Sequence, residues 1–563
     1  MSHRSIAPRL FARTALVTCL TCSASLAWAQ GLPPGVEELA RDLADDRIVK
    51  APKKAEPPPT VIDRKAPAVR LPAQLAELQR LLAVSDPDVA PFVRLAIGHV
   101  EQALSAFHAG SRDLSLSHLD ATLASVVPAQ RALDDAVAAA DPDDDAALIE
   151  VQRQLSLTAQ RMAGDVVDQA QAVGVPKPRL KPARQALAAG DQALADGRHA
   201  VAVEQYAEGL GLGANTITFS VDKFETNIRA VFDPNSVGHA YTITQNGLVA
   251  KSNHFGLART AADAPQTDQS DTKPMHIASA SKLLSAIVTM RLLSDKGLTA
   301  DEPIAPYLPS DWTLGDGVAA LTFADVMTHR TGFGQKNDQI KGEDYASLRA
   351  RIALPVGNNA ADYENANFAL LRVLSSRLQN ADPKDYPEFD AGALTAAMFI
   401  IKAKTLFASV GSVVDCHSED PAPTIQYRFP DTGDKGYEEP PRDLTCGGYG
   451  FMTSPRDYAG LVVNLRYTSN LVPPPALADM RSRYLGMMSP NMFSSYTNGK
   501  FGVYHGHGGD WGHGAGGLDT CALMFPIVVE ATVFVNSNAK SYGSSNHQCT
   551  ALLRAFDDAW QPK

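Results

Sequence analysis

The alternation of apolar and polar positions changes character several times along this 563-residue chain. Residues 30–70 carry proline and charge with no apolar period, as in APKKAEPPPTVIDRKAPAVRLP, and read as an extended spacer. Residues 71–213 are dominated by alanine, leucine and glutamine. Breaks at Asp86-Pro87, Asp141-Pro142 and Val175-Pro176 divide them into about five or six predicted helices. Two stretches there, HVEQALSAFHAGSRDLSLSHLDATL and ARQALAAGDQALADGRHAVAVEQYAEGL, share a plan of helix, glycine-containing turn and helix. Two imperfect copies fall short of a stacked array, so a small helical bundle is expected, with docking of a protein partner as the alternative role. From about residue 216 the pattern turns to strands. HAYTITQNGLVAKSNHFGLA gives two strands around the hairpin signal Gln245-Asn246-Gly247, and LDTCALMFP and VVEATVFVNSN give two more near the end, before a closing helix over Gln548 to Trp560.

Between these strands lies the stretch around which the chain is organised, MHIASASKLLSAIVTMRLLSDKG. Leu283, Leu284, Ile287, Val288, Met290, Leu292 and Leu293 make it too apolar for a surface helix, and Gly297 is a stop signal. Ser279 falls at the start of this buried helix with Lys282 one turn on, so hydroxyl and amine share a face. A serine needs a base to become a nucleophile, and a lysine of lowered pKa can be that base. The helix start favours an oxyanion beside the serine. The same S-x-x-K spacing recurs at Ser220–Lys223, Ser270–Lys273 and Ser537–Lys540, but only the Ser279 copy opens a long buried helix.

Strands at both ends with helices between them predict an α+β fold, one antiparallel sheet with a helical insertion, preceded by the all-α segment. Two further constellations bear on chemistry. Tyr363-Glu364-Asn365 lies on a predicted loop before a short helix. A lysine ammonium beside it would lower the phenol's pKa and let Tyr363 act as general base, while Asn365 can hydrogen-bond the lysine or a substrate amide. His505 to Gly517, HGHGGDWGHGAGG, is rich enough in glycine for its backbone to approach a ligand closely. Its histidines and Asp510 lack the helix spacing or HExxH-type pattern of a metal site, so no metal is expected.

Composition narrows the function. The first 29 residues have Arg4, Arg9 and Arg13, a short apolar core and an Ala27-Trp28-Ala29 cleavage site, the features of a secretory signal peptide; periplasmic or secreted localisation is expected. No later stretch reads as apolar enough to span a bilayer. The net charge of −11 falls to about −14 once that segment is removed, which argues against nucleic acid as a partner and leaves small-molecule or peptide substrates. Four cysteines then remain, and an even number in an exported chain fits two disulfides. Of the three pairings, Cys416–Cys446 and Cys521–Cys549 are favoured, the first stapling a long polar loop and the second tying the last helix to the sheet.

Together, S-A-S-K, Y-E-N and a His-x-Gly before the last strands resemble the serine β-lactamase and penicillin-binding protein superfamily, in particular class C β-lactamases, family VIII esterases and DD-peptidase-like hydrolases. The resemblance extends through DKGLTADEPIAPYLP, LTFADVMTHRTGFG and GGYGFMTSPRDYAGLVVNL and covers residues 216–563. It implies Ser279 as the acylated nucleophile, Lys282 as its activating partner, Tyr363 as general base and Asn365 as hydrogen-bonding companion. It also implies an edge-strand third motif at His507-Gly508-Gly509, with His513-Gly514-Ala515 as the competing placement, and no cofactor. His329, in THRTGFG, matches a loop motif read as structural. Classical β-lactamases carry Lys-Thr-Gly at the third motif. Histidine there weakens the case for β-lactams and favours ester, amide or D-amino-acid peptide substrates. The expected function is an exported serine hydrolase working through an acyl-enzyme. The alternative is a non-catalytic envelope binding protein that retains the fold.

Overall fold

The computed structural model describes residues 145–563 except 246, 337–339, 341, 358–359, 388, 501 and 526–528. The expected signal peptide, the spacer and the helical region up to residue 144 lie outside the described residues. Three helices open the described chain: α1 (Asp145–Ala172), α2 (Lys177–Ala195) and α3 (His199–Ala214). Helices α2 and α3 form the expected hairpin, turned at Gly197 with a φ of 71°. Small residues let them pack closely: Ala163, Ala193 and Ala202 are buried with Tyr206, whose ring occupies the space a side chain on Gly190 would need.

Strand β1 (Ile217–Phe219) and helix α4 (Val221–Phe232) lead into the hairpin β2 (Gly238–Gln245) and β3 (Leu248–Arg259), with Gly247 left-handed at the turn as the Asn-Gly signal requires. The helical insertion follows. It contains α5 (Ser281–Asp295), α6 (Asn365–Leu378), α7 (Ala391–Ala408), α8 (Pro455–Tyr467) and α9 (Pro490–Thr497). The chain then returns to the sheet as β4 (His505–His513), β5 (Gly516–Phe525) and β6 (Val529–Val535) and ends in α10 (Gln548–Asp557) and β7 (Trp560–Pro562). The long strands pair antiparallel in the order β4-β5-β6-β2-β3, with β4 at the edge.

Side-chain alternation on β5 shows how the sheet is covered. Leu518, Ala522 and Met524 enter the core shared with α5, α6 and α7. Cys521, Leu523 and Phe525 enter the core on the other face, with α4 and α10. The second core is aromatic: Phe525 stacks on Phe556 with centroids 4.3 Å apart, and Phe219, Phe224, Tyr504 and Trp560 pack around them. Ala170, Val175 and Leu180 of the first two helices join the same cluster.

The predicted helix over Gln548 to Trp560 stops short. It ends at Asp557, and Trp560–Pro562 forms β7, pairing with β1. The reading that no later stretch could span a bilayer also needs correcting, since α7 is long and apolar enough. Its apolar residues Phe399, Ile400, Ala403 and Phe407 are buried against the insertion's other helices, as in the core helix of a soluble fold. The disulfides Cys416–Cys446 and Cys521–Cys549 are both formed, in the favoured pairing.

Candidate active site

Helix α5 is buried nearly all round, which is why its sequence lacks a polar face. It ends at Lys296 with Gly297 left-handed, as the stop signal predicts. Ser279 sits one step ahead of it, in a single tight turn over Ala278–Ala280. Ala278 holds a left-handed φ of 46°, a strained conformation for alanine that persists only where the surroundings enforce it. Those surroundings are specific. The Ile277 amide donates to Phe451 O at 3.0 Å, Thr520 Oγ1 of β5 donates to Ile277 O at 2.8 Å, and Tyr458 Oη donates to Ala280 O at 2.9 Å.

Lys282, completely buried, reaches three oxygens: Ser279 Oγ at 3.0 Å, Asn365 Oδ1 at 2.6 Å and Gly448 O at 2.6 Å. Burial pushes its amine down from 10.5 to about 7, partly countered by the carboxylates of Glu343, Glu364 and Asp510. The nitrogen lies 4.7 Å from the centre of the Tyr363 ring. The Tyr363 phenol lies close enough to Ser279 to be acted on by its hydroxyl, so serine, lysine and tyrosine meet in one cluster, as expected. The protonation expected of Tyr363 is wrong in direction, however. Burial holds the phenol well above its ordinary value, reinforced by Asp510, Glu343 and Glu364, and only the Ser279 hydrogen bond opposes it. The phenol is neutral and the lysine is the group poised near neutrality.

The Tyr-Glu-Asn segment is set by α6, which starts at Asn365 and runs 14 residues, longer than the short helix anticipated. Glu364 caps it, its side chain accepting from the Ala366 amide. His329, left-handed at a φ of 60°, accepts at Nδ1 from the Glu364 amide and from Asn367 Nδ2, both at 3.2 Å, and its ring lies 4.4 Å from that of Tyr363. It orients the loop, and burial keeps it neutral. Phe493 of α9 closes the other side of Tyr363 edge-on at 5.6 Å.

The glycine-rich stretch is a strand, and its glycines answer to its neighbours. A side chain on Gly509 would lie 2.6 Å from Ile277 O and 2.7 Å from the Ser279 nitrogen; one on Gly508 would lie 2.5 Å from Cys549 Sγ. Edge strand β4 is therefore pressed flat between the Ser279 turn and the second disulfide. His507 shares a face with Gly509 and is buried near Lys282. His513 is not brought to the site. It pairs with Gly516 at the far end of the hairpin, four residues and about 13 Å along the strand from Gly509.

Two participants escaped the sequence reading. The carbonyl of Gly448, 166 residues from Lys282 in sequence, is part of the amine's seat; the run Gly447-Gly448-Tyr449-Gly450 was the only signal, and a side chain on Gly448 would meet Asn365 O at 2.7 Å. Glu343 lies close enough to Lys282 for its carboxylate to raise the amine's pKa. As for metals, Asp415, His417 and Glu419 bring ligand atoms within 4.8 Å of one another. Lys404 already pairs with Asp415, and His417 pairs with Asp443 at 3.0 Å; the group shares no residue with the Ser279 cluster.

A search of curated proteins found no match. Among solved structures, the chain is similar to an octameric penicillin-binding protein homologue from Pyrococcus abyssi, at 17% identity and a TM-score of 0.44 over 60% of this chain and 77% of that one. It is similar to a β-lactamase/D-alanine carboxypeptidase from Pseudomonas syringae, at 17% identity and a TM-score of 0.44 over 60% of this chain and 97% of that one. A D-amino acid amidase from Ochrobactrum anthropi has 14% identity and a TM-score of 0.42 over 60% and 98%. The family model described as Beta-lactamase matches residues 221–554. That match takes in the Ser279 turn, the Tyr-Glu-Asn loop and the edge strand and exceeds half the chain, and the protein belongs to the β-lactamase family of serine hydrolases.

Proposed function

We propose that the protein is an exported hydrolase that cleaves an ester or amide through an acyl-enzyme on Ser279. The observation that carries this reading is the seat of Lys282. Two of its three polar neighbours, Asn365 Oδ1 and Gly448 O, can only accept hydrogen bonds. A neutral amine has two hydrogens for them and directs its lone pair at the third, Ser279 Oγ. The amine is thus positioned to take the serine proton as Oγ attacks the substrate carbonyl. The tetrahedral oxyanion forms beside the Ser279 amide, at the positive end of α5 and against the amides of edge strand β4. As the intermediate collapses, the Tyr363 hydroxyl hands its proton to the leaving group and is restored from Lys282. Water then attacks the acyl-enzyme and returns Ser279 by the same proton path in reverse.

Export rests on the leader-like first 29 residues and on two disulfides, which persist in oxidising compartments. The test is labelling with a serine-reactive fluorophosphonate, comparing wild type with Ser279→Ala, followed by a hydrolysis panel of short p-nitrophenyl esters, D-Ala-D-Ala peptides and a chromogenic cephalosporin. Labelling confined to wild type, with esters cleaved faster than the cephalosporin, is expected. A folded wild type that takes no label favours a binding protein that retains the fold without turnover.

A further inference from the structure

The residues from Cys446 to Phe451 belong to no helix or strand, yet they carry the carbonyl that seats Lys282. Side chains from elsewhere meet their backbone groups one at a time. Arg372 Nη1 donates to Cys446 O at 3.0 Å, Ser285 Oγ to Gly447 O at 2.6 Å and Lys282 Nζ to Gly448 O at 2.6 Å. Beyond the turn, His276 Nε2 accepts from the Gly450 amide at 3.1 Å and Ser281 Oγ from the Phe451 amide at 3.2 Å.

The Gly450 contact fixes the tautomer of His276. A backbone amide only donates, so Nε2 is bare and Nδ1 carries the proton. Nδ1 is buried and, among the described residues, has no hydrogen-bond partner. Glu439 Oε2 lies 3.8 Å from it, and that carboxylate is already engaged by Gln426 and Arg442. An unmade bond on a buried ring is costly, so the bond to Gly450 is the polar contact this residue keeps. His276 also stands three residues ahead of Ser279, in the short pair Met275–His276 with Met452–Thr453. The segment that bears the nucleophile therefore grips the loop that seats the base.

We propose, building on the serine-hydrolase reading, that His276 is a positioning residue for Lys282: by holding the Gly450 amide it keeps Gly448 O against the amine and the amine's lone pair on Ser279 Oγ. Without that anchor Gly448 O swings away. The amine then loses an acceptor that favours its ammonium form, and its lone pair is no longer aimed. Loss of one such bond corresponds to roughly tenfold in proton affinity, a shift of about one pH unit downward. The other titratable groups that act on or around Lys282, namely Glu343, Glu364, Asp510, Tyr363, His329 and His507, stay as they are.

The experiment follows fluorophosphonate inactivation of the full chain from about pH 5 to about pH 9. His276→Leu fills the space without an acceptor, and His276→Gln places an amide oxygen near the position of Nε2. Ser285→Ala frees the neighbouring Gly447 carbonyl through a mild change within a helix. In His276→Leu the bend in the rate should move from near 7 to about 6, and the plateau should fall at least tenfold. His276→Gln should restore the bend to near 7, and Ser285→Ala should shift it downward by less than His276→Leu does. A role in folding alone would lower the amount of active protein and leave the bend in place. A bend that stays near 7 or moves upward in folded His276→Leu, or a Gln variant that behaves like Leu, overturns the proposal. Should His276→Leu not fold, Ser285→Ala decides: a downward shift supports the proposal and an unmoved bend overturns it. Absence of labelling in wild type removes the hydrolase reading itself, so the two failures are distinct.

Discussion

Acylation of Ser279 should follow the titration of one buried amine. Lys282 has its pKa pushed from 10.5 to about 7, chiefly because burial disfavours the charged form. At about 1.4 kcal/mol per pH unit, that drop favours the neutral amine by about 5 kcal/mol. An amine of ordinary affinity would be neutral in roughly one molecule in 3,000 at pH 7; here about half are. Because the neutral form is the base, activity must rise with pH. The second-order rate of fluorophosphonate inactivation, measured from about pH 5 to about pH 9, should climb roughly tenfold per unit at the acid end, bend near 7 and then level off. Lys282→Arg, which keeps a charge but cannot act as a base, should lower the plateau by roughly a thousandfold without restoring the slope. A rate that stays flat across the range, or that still climbs tenfold per unit at about pH 9, would refute the reasoning, because the amine would not then be the proton acceptor.

Three other substitutions probe separate parts of the structure. Tyr363→Phe removes the hydroxyl beside Ser279 but keeps the ring between His329 and Phe493, so the fold should persist by circular dichroism while turnover falls by roughly a hundredfold or more. Gly509→Ala sets a methyl against Ile277 O and the Ser279 nitrogen; labelling should be lost, with a destabilisation of about 1–3 kcal/mol in urea titration. Glu530 on β6 accepts at Oε1 from Arg466 and Tyr467, both at 2.7 Å, and at Oε2 from Thr244 at 2.5 Å, and both it and Arg466 are buried. Glu530→Ala strips a buried guanidinium of its counter-charge and should cost about 3–5 kcal/mol in the same titration, whereas unchanged stability would mean that the pair is not desolvated.

Local physics explains which features were legible in the sequence. The Ser279–Lys282 relation depends on one helical turn, and the β2–β3 hairpin on an Asn-Gly pair, so both were readable from a few consecutive residues. The disulfide pairing was favoured because one bridge would staple a polar loop and the other tie the last helix to the sheet, and both are formed. What could not be read depends on burial or on distant chain. The phenol of Tyr363 was expected to be acidified by a neighbouring cation, but the burial that holds it up also discharges that cation. The Gly448 carbonyl contributes no side chain, and its place beside Lys282 is set by packing of Gly447 and Gly448 against α6. His507 and His513 occupy equivalent sequence contexts; only the register of β4 against the Ser279 turn separates them. The last residues looked like helix because nothing near them in sequence announces a partner strand more than 340 residues earlier.

That late pairing gives the β7 segment an unexpected importance. Lys563 donates its amide to Thr216 O and accepts at its carbonyl from Arg179, while Gln169 reaches Asp557 O. This segment is thus a clasp fastening the helices α1 and α2 to the sheet's aromatic core, and removing it disturbs the seam on which those helices rest.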